Sequence, residues 1–536
     1  MRRFLLPLLL AVSAAQGDGA GGPLLRSNVP LLGSPLHLDL YAAPGSAVLL
    51  ALSQGPGPIR IGTFEVCLTP PILPVALDVV PPSGVFRWSV NLPPVPALVG
   101  STAWFQALVT SPAGAVLSNH VRVALTDGRA AVFADESLTR LPRDLHLAED
   151  AAQADVDRDG DPDLIVAASS SLGPPATLTL LINQGGLQGG APGVFQDETA
   201  SRFPPGFRVP ALCVRAGDVD RDGDPDLFIG ADDAGTANAP NVLLVNQGGL
   251  QGGATGTFLP MSNFPGGGFE TQGAVFVDLD RDGFPELVLA NGVDRNLAPQ
   301  PDELLVNVGG LAFVLDPHFT IAPFNPPGEN DEVVAGDFDG DGDQDLFFAR
   351  DGQSLLLRNE GFLNFLDATA DLPALSENST ASVAADFDRD GDVDLLVVNI
   401  GTTRLLVNQG RAQGGREGLF ALGPSPAPPP ASFIQLAAAV ADVDNDGDLD
   451  LSISVHPLAG SERSALYLNQ GGLQGGVDGA FVADPAFTTP VGIIPGLVFA
   501  DVDRDGDLDL FLASQGPLSG GSPDDALLVN RLIVRP

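Results

Sequence analysis

The sequence predicts an all-β protein, a seven-bladed β-propeller preceded by a small β-sandwich. Three observations predict it. An acidic motif, D-x-D-x-D-G-[DF]-x-[DE]-L, recurs seven times between apolar segments, beginning at Asp155, Asp218, Asp278, Asp337, Asp386, Asp442 and Asp501. The intervals are 63, 60, 59, 49, 56 and 59 residues, and a repeat of that period marks an array of identical supersecondary units. Residues 24–126 lack the motif and break into short apolar runs, with turn signals roughly every ten residues, the pattern of a small antiparallel sandwich.

In chain order, Met1-Arg2-Arg3 precedes an apolar run from Phe4 to Val12 and small residues through Ala15. This is the pattern of a secretory signal over residues 1–16, too short to span a bilayer. No later apolar stretch reaches the roughly 18 residues of a transmembrane helix. In residues 24–126 the runs Ser46–Ser53, Ile59–Leu68, Val85–Leu92, Ala103–Thr110 and Val116–Leu125 are the expected strands, with Trp88 and Trp104 as core candidates. From about residue 131 to 536 the repeat takes over. In the second unit, Ala211–Gly217 enters the acidic loop, Asp226–Gly230 leaves it, Val242–Val245 follows, and Gly256-Thr257-Phe258 opens a fourth segment. Short runs rich in Val, Leu and Phe, broken by Gly, Pro and Asp, are strands, and four antiparallel strands per unit make a propeller blade.

The third segment of each unit ends on an Asn: Asn183, Asn246, Asn307, Asn359, Asn408, Asn469 and Asn530. In most copies a Gly-rich stretch follows, such as Gln184-Gly185-Gly186-Leu187-Gln188-Gly189-Gly190, which reads as the hairpin between strands three and four. The last unit has no fourth segment after Asn530. Val132-Phe133-Ala134-Asp135-Glu136 closely copies the fourth strand at Val194-Phe195-Gln196-Asp197-Glu198. Residues 132–136 are therefore expected to pair with Ala526–Asn530 and close the ring, which removes its exposed edges.

Composition narrows the function. The formal net charge is −41, with 67 acidic and 26 basic residues, every basic one Arg. Nucleic-acid binding needs a cationic footprint, which is absent. The acidic loops hold 34 of the acidic residues. The two cysteines, Cys67 and Cys213, are too few for a disulfide framework, so an exported chain of this size needs another staple. The five histidines (His37, His120, His146, His318, His456) are scattered without triad or metal-ligand spacing, and there is no Lys. No catalytic residue and no organic cofactor is assigned.

The acidic loop has the chemistry of a hard-cation site. Carboxylates at positions 1, 3, 5 and 9 converge if the chain turns sharply, and Gly at position 6 permits that turn. Position 7 offers its carbonyl; Phe284 stands there in the third copy, where no side-chain ligand is possible. The candidate metal residues are Asp155, Asp157, Asp159, Asp161 and Asp163; Asp218, Asp220, Asp222, Asp224 and Asp226; Asp278, Asp280, Asp282, Phe284 and Glu286; Asp337, Asp339, Asp341, Asp343 and Asp345; Asp386, Asp388, Asp390, Asp392 and Asp394; Asp442, Asp444, Asp446, Asp448 and Asp450; Asp501, Asp503, Asp505, Asp507 and Asp509. All-oxygen ligation by flexible carboxylates favours Ca²⁺, about one ion per blade. An EF-hand is excluded, because position 12 is apolar in every copy (Val166, Ile229, Leu289, Phe348, Val397, Ile453, Leu512). Position 9 is then a direct ligand, and the longer Glu286 is expected to weaken its loop.

Segments such as Ala384–Val397 followed by Leu405-Leu406-Val407-Asn408 resemble FG-GAP/VCBS repeats, the blades of integrin-α-like propellers, over residues 131–536. The resemblance implies a calcium loop between the first two strands of each blade and a role in adhesion or ligand binding. The expected function is a secreted calcium-binding module at or outside the cell envelope, taking a protein or glycan ligand on the face opposite the calcium loops. That face would carry the variable connections Ala231–Asn241, Ala290–Glu303 and Ser454–Ala465. The alternative is an extracellular polysaccharide-acting enzyme using the propeller as its platform.

Overall fold

The computed structural model describes residues 24–27, 35–41, 46–53, 59–61, 64–66, 73–80, 85–91, 102–111 and 114–124 of the N-terminal part. From residue 133 onward it describes all but 143–147, 169–177, 233–239, 293–299, 320–329, 411–412, 425, 427–432, 458–462, 472–475, 516–524 and 532–536. The signal-like residues, Cys67 and the side chains of Trp88 and Trp104 lie outside the described residues.

The N-terminal part is all strand. Leu24–Ser27, Pro35–Tyr41 and Val85–Asn91 form one antiparallel sheet; Leu73–Val79, Ala47–Ser53, Thr102–Ser111 and Gly114–Ala124 form another, each in that order. The run expected as one strand over Ile59–Leu68 is instead a pair, Ile59–Ile61 against Phe64–Val66. Leu24–Ser27, Pro35–Tyr41 and Leu73–Val79 were not anticipated. Two of them contain a proline, which disguises a strand. Pro74 falls beside a register shift between Leu50 and Ala51, where a missing N–H is tolerated.

From residue 133 the chain folds into the repeated units. Each acidic motif joins the first and second strands of a four-stranded antiparallel unit. In the second unit the strands are Ala211–Gly217, Asp226–Ala231, Val242–Asn246 and Phe258–Pro260. Five units are separate sheets; the fourth and fifth are bridged by Asp351↔Asn378 and Gly352↔Glu377. The first strands, Ala148–Ala154, Ala211–Gly217, Thr271–Val277, Asn330–Gly336, Glu377–Ala385, Phe433–Ala441 and Gly496–Ala500, lie each against the next, and the last lies against the first. The array is a closed propeller ring.

Burial explains the sequence pattern. Every residue of the second strand Asp163–Ala168 is buried, and so is every residue of Asp226–Ala231. A sheet covered on both faces by its neighbours reads as a continuous apolar run rather than an alternating one. The cores therefore lie between units: Val156, Ile165 and Leu180 of the first unit pack with Val214, Leu227 and Phe258 of the second. Leu164, Val166 and Phe195 of the first pack with Phe511, Leu527 and Val529 of the last.

The ring closes as the sequence copy predicts. Phe133–Asp135 pairs with Ala526–Asn530 in the register Phe133↔Asn530, Ala134↔Val529, Asp135↔Leu528. Ser137 Oγ then accepts the Leu527 N–H at 2.9 Å. Because each acidic loop follows the C-terminal end of a first strand, all seven loops share one end of the ring. The strand two-to-three connections belong to the other end, and their middles (233–239, 293–299, 458–462) lie outside the described residues. No helix among the described residues is long and apolar enough to cross a membrane.

Candidate metal centres

Each acidic loop is wound on its own carboxylates. Asp155 at position 1 accepts the N–H groups of Asp159 and Gly160 at 3.0 and 2.9 Å, pulling the chain round. Gly160 takes φ 91° at that turn, as expected for position 6. Position 4 is left-handed too, with Arg158, Arg221, Arg281, Arg389 and Arg504 at φ 58–63°. The sequence reading missed this. The signal was present in Gly340 and Asn445, which hold position 4 in the other two copies and are residue types that adopt this conformation readily.

Position 9 has a structural role of its own. Asp163 accepts the Val156 N–H at 3.0 Å with one oxygen and the Asn183 N–H at 2.9 Å with the other. Asp226, Asp345, Asp394, Asp450 and Asp509 repeat both bonds. This carboxylate ties the loop to strand three. Glu286 keeps the first contact, from Leu279 N–H at 2.7 Å, while its Oε1 makes no hydrogen bond. The Asn307 N–H, the counterpart of the second donor to the aspartates, still lies close enough to this carboxylate to favour its ionised form.

The loops bring carboxylates together where they oppose one another. Ligand-capable oxygens of Asp155, Asp157 and Asp163 lie within 4.8 Å of each other, as do those of Asp218, Asp220 and Asp222; Asp278, Asp280 and Asp282; Asp337, Asp339 and Asp345; and Asp386, Asp388 and Asp394. Burial pushes Asp163, Asp226, Asp345, Asp394 and Asp509 up to about 8, against the pull of their backbone donors, and neighbouring aspartates add to the rise. Burial likewise raises Asp157, with Asp159 adding to it. One buried oxygen each of Asp157, Asp278, Asp337 and Asp503 has no hydrogen-bond donor. Crowded, desolvated and donor-poor oxygens fit a bound cation, which supplies the opposite charge they lack. These clusters could hold metal ions.

The third-strand asparagines link the loops around the ring, a role the sequence reading did not find. Asn246 Nδ2 donates to the carbonyl of Val156, position 2 of the previous unit's acidic loop, at 2.9 Å. Asn307, Asn359, Asn408, Asn469 and Asn530 repeat it to Val219, Leu279, Phe338, Phe387 and Val443, at 2.7–3.0 Å. Asn183 closes the cycle onto Val502 at 2.8 Å. Asn246 Oδ1 also accepts the Gly256 N–H at 2.8 Å, which fixes the Gly-rich hairpin. The signal was the Asn in every copy, at a site where an apolar strand end would serve packing equally well.

A second belt runs outside the first. In three units position 4 of one loop reaches position 7 of the next: Arg281 Nε meets Asp343 Oδ1 at 2.8 Å, Asn445 Nδ2 meets Asp507 Oδ1 at 3.0 Å, and Arg504 pairs with Asp161. Arg221 instead stands 5.4 Å over the ring of Phe284. Position 7 side chains thus serve inter-unit contacts, consistent with a carbonyl rather than a carboxylate ligand there. Position 3 is braced from its own unit, where Gln188 Nε2 and Arg202 Nη2 both donate to Asp157 Oδ2, at 2.7 and 3.1 Å.

A family model described as FG-GAP-like repeat matches residues 155–229, 218–289, 337–397 and 386–453. No curated protein matches the sequence. Among solved structures, the chain is similar to an Agrocybe aegerita lectin that recognises non-reducing terminal N-acetylglucosamine, at 15% identity and TM-score 0.39, over 76% of this chain and 100% of that one. It is similar to a Lactobacillus plantarum protein at 10% identity and TM-score 0.42, over 68% and 99% of the two chains. It is also similar to the Dos1 propeller at 10% identity and TM-score 0.36, over 74% and 93%.

Proposed function

Because this chain is an FG-GAP-repeat β-propeller protein, we propose that it is an exported, calcium-stabilised binding module. In this reading residues 1–16 direct export, 24–126 form an accessory β-sandwich, and 131–536 form a seven-bladed propeller. The propeller takes a protein or glycan ligand on the face opposite the acidic loops. The observation that carries the reading is the convergence of three carboxylates in each acidic loop whose cluster is named above, with a buried, donor-free oxygen on Asp157, Asp278 and Asp337 in three of them.

The carboxylates at positions 1, 3, 5 and 9 would hold a calcium ion, with the position 7 carbonyl completing the set. Each carboxylate oxygen has two lone pairs, so the backbone bonds at positions 1 and 9 leave capacity for an ion. Calcium would supply charge neutralisation and loop closure, not chemistry on a substrate. The chain's own residues carry that closure onward, since the Asn246 type of bond ties each loop to the next unit. A rigid ring then presents its variable connections as a recognition surface.

The test is binding of the full chain to glycan and extracellular-protein arrays in millimolar calcium. The expected result is a defined ligand, lost on chelation, regained with calcium, and weakened by substitutions on the face opposite the acidic loops. Binding indifferent to both calcium and that face would overturn the proposal.

A further inference from the structure

The axis of the ring is not solid. A chamber of about 510 Å³ is lined by the N-terminal halves of all seven first strands, at the end away from the acidic loops. That volume lies within the range of small-molecule sites, about 300–1,000 Å³. A second space of about 330 Å³ continues toward the acidic loops, and Arg215, Glu332 and Ser382 line both.

The chamber is built by a repeated irregularity. The pairing of first and second strands skips one residue in the first five units, at Glu149, Leu212, Gln272, Asp331 and Thr380. The sixth unit skips Leu436 and Ala437. Every skipped residue lines the chamber. A bulge re-aims a side chain without ending the strand. Here the same bulge brings a different residue to the axis in each unit, so a near-symmetric framework has an asymmetric lining.

Arg215 forms the floor. Its Nη1 meets Asp150 Oδ2 of the first unit at 2.5 Å, its Nη2 meets Glu332 Oε2 of the fourth at 3.0 Å, and its Nε donates to the Ala274 carbonyl of the third at 2.8 Å. The guanidinium is thus saturated by acceptors and has little left for an anion. Glu149, whose Oε2 accepts from Gln515 Nε2, and Asp331 add carboxylates to a lining in which Arg215 is the one basic residue among the described residues. Leu212, Leu436 and Pro495 supply apolar wall. Ser382, 7% exposed, has a hydroxyl with no hydrogen-bond partner at the level where the two spaces meet.

We propose that this axial chamber binds a small organic cation, an ammonium or guanidinium group on a short apolar stem, between the Glu149 and Asp331 carboxylates and above the Arg215–Glu332 floor. The shared chemistry can come from a free amine or from a basic side chain at a peptide terminus. The proposal takes only the location of the ligand face from the preceding reading. The acidic loops lie at the other end, so failure of one is measured separately from failure of the other.

The experiment is calorimetric titration of the full, calcium-loaded chain with cadaverine, with arginine amide, with a lysine-ended tetrapeptide, and with the neutral 1,5-pentanediol. One-to-one binding of at least one cation is expected, weakened by added salt, with pentanediol at least tenfold weaker. Asp331→Asn and Glu149→Gln should each weaken the cation at least fivefold, and Leu212→Trp should abolish it by filling the chamber. Melting temperature and calcium content check that each variant is folded. A cadaverine response with no tetrapeptide response assigns the site to free amines, and the reverse assigns it to a basic side chain. No cation binding at millimolar concentration, equal binding of pentanediol, or charge variants that bind like the parent would overturn the proposal.

Discussion

Replacing Asn246 by Ala should cost more stability than any loss of packing would suggest. The side chain is fully buried and makes four contacts: Nδ2 to Val156 O at 2.9 Å and Pro225 O at 3.1 Å, Oδ1 from Gly256 N at 2.8 Å and Gly248 N at 3.4 Å. Truncation strands the Val156 carbonyl and the Gly256 N–H. Each buried group left unpaired costs about 1–3 kcal/mol, so the expected loss is about 3–5 kcal/mol. That is a large part of a typical net stability of about 5–15 kcal/mol. The assay is urea unfolding followed by far-ultraviolet circular dichroism in millimolar calcium. Fluorescence would mislead, because the two Trp, at 88 and 104, both lie outside the ring. Asn246→Asp retains volume and the Oδ1 acceptor while removing the donor to Val156 and Pro225, so it separates the loss of these donor bonds from the loss of packing. Asn364→Ala, at an exposed position, is the control and should change stability by less than about 0.5 kcal/mol. An Asn246→Ala loss below about 1 kcal/mol would refute the latch.

Three further outcomes are expected. The Glu286 loop should load calcium last, and Glu286→Asp should tighten that step about tenfold, read from calcium titration calorimetry; an unchanged isotherm counts against the longer side chain as the cause. Metal-stripped protein should lose stability as pH rises. Burial raises Asp163, Asp226, Asp345, Asp394 and Asp509 to about 8, above their unfolded values, so the folded state holds more protons between about pH 4 and 8. Its melting temperature should be higher at pH 5 than at pH 8.5, and the calcium-loaded protein should reverse that order because the ion competes with protons. Finally, Cys213 is buried and its thiol is pushed up to about 12, chiefly by burial, so in a Cys67→Ser background it should react with a thiol reagent only as fast as the ring opens.

Much of the fold was legible because the repeat states it many times. The acidic loop sits between a first and a second strand in every unit, and the fourth strand copied at residues 133–135 pairs where its sequence twin would. What stayed hidden was carried by single residues with two jobs. Asp163 reads as a ligand but also clamps two backbone N–H groups. Asn183 reads as the start of a turn but latches the last unit to the first. Arg158 carries no signal in the motif, yet its left-handed backbone sends it toward the next loop, where Nη1 donates to the Asp222 carbonyl at 3.3 Å. The bulges escaped notice because Glu149, Gln272 and Thr380 share no residue type. In the N-terminal part Pro35 and Pro74 masked strands that a proline-free reading would have found.

If calcium in the acidic loops holds the ring together, elemental analysis and a thermal melt on the same sample, before and after chelation, will show it. Extracellular calcium sites have dissociation constants of roughly 10⁻⁴–10⁻³ M. At about ten times that concentration each site adds about 1.4 kcal/mol by mass action, so seven would add on the order of 10 kcal/mol. About seven calcium ions per chain are expected, with a steep fall in the ring's melting temperature once they are removed. Fewer than four bound ions, or an unchanged melt after confirmed metal removal, would contradict that role for calcium.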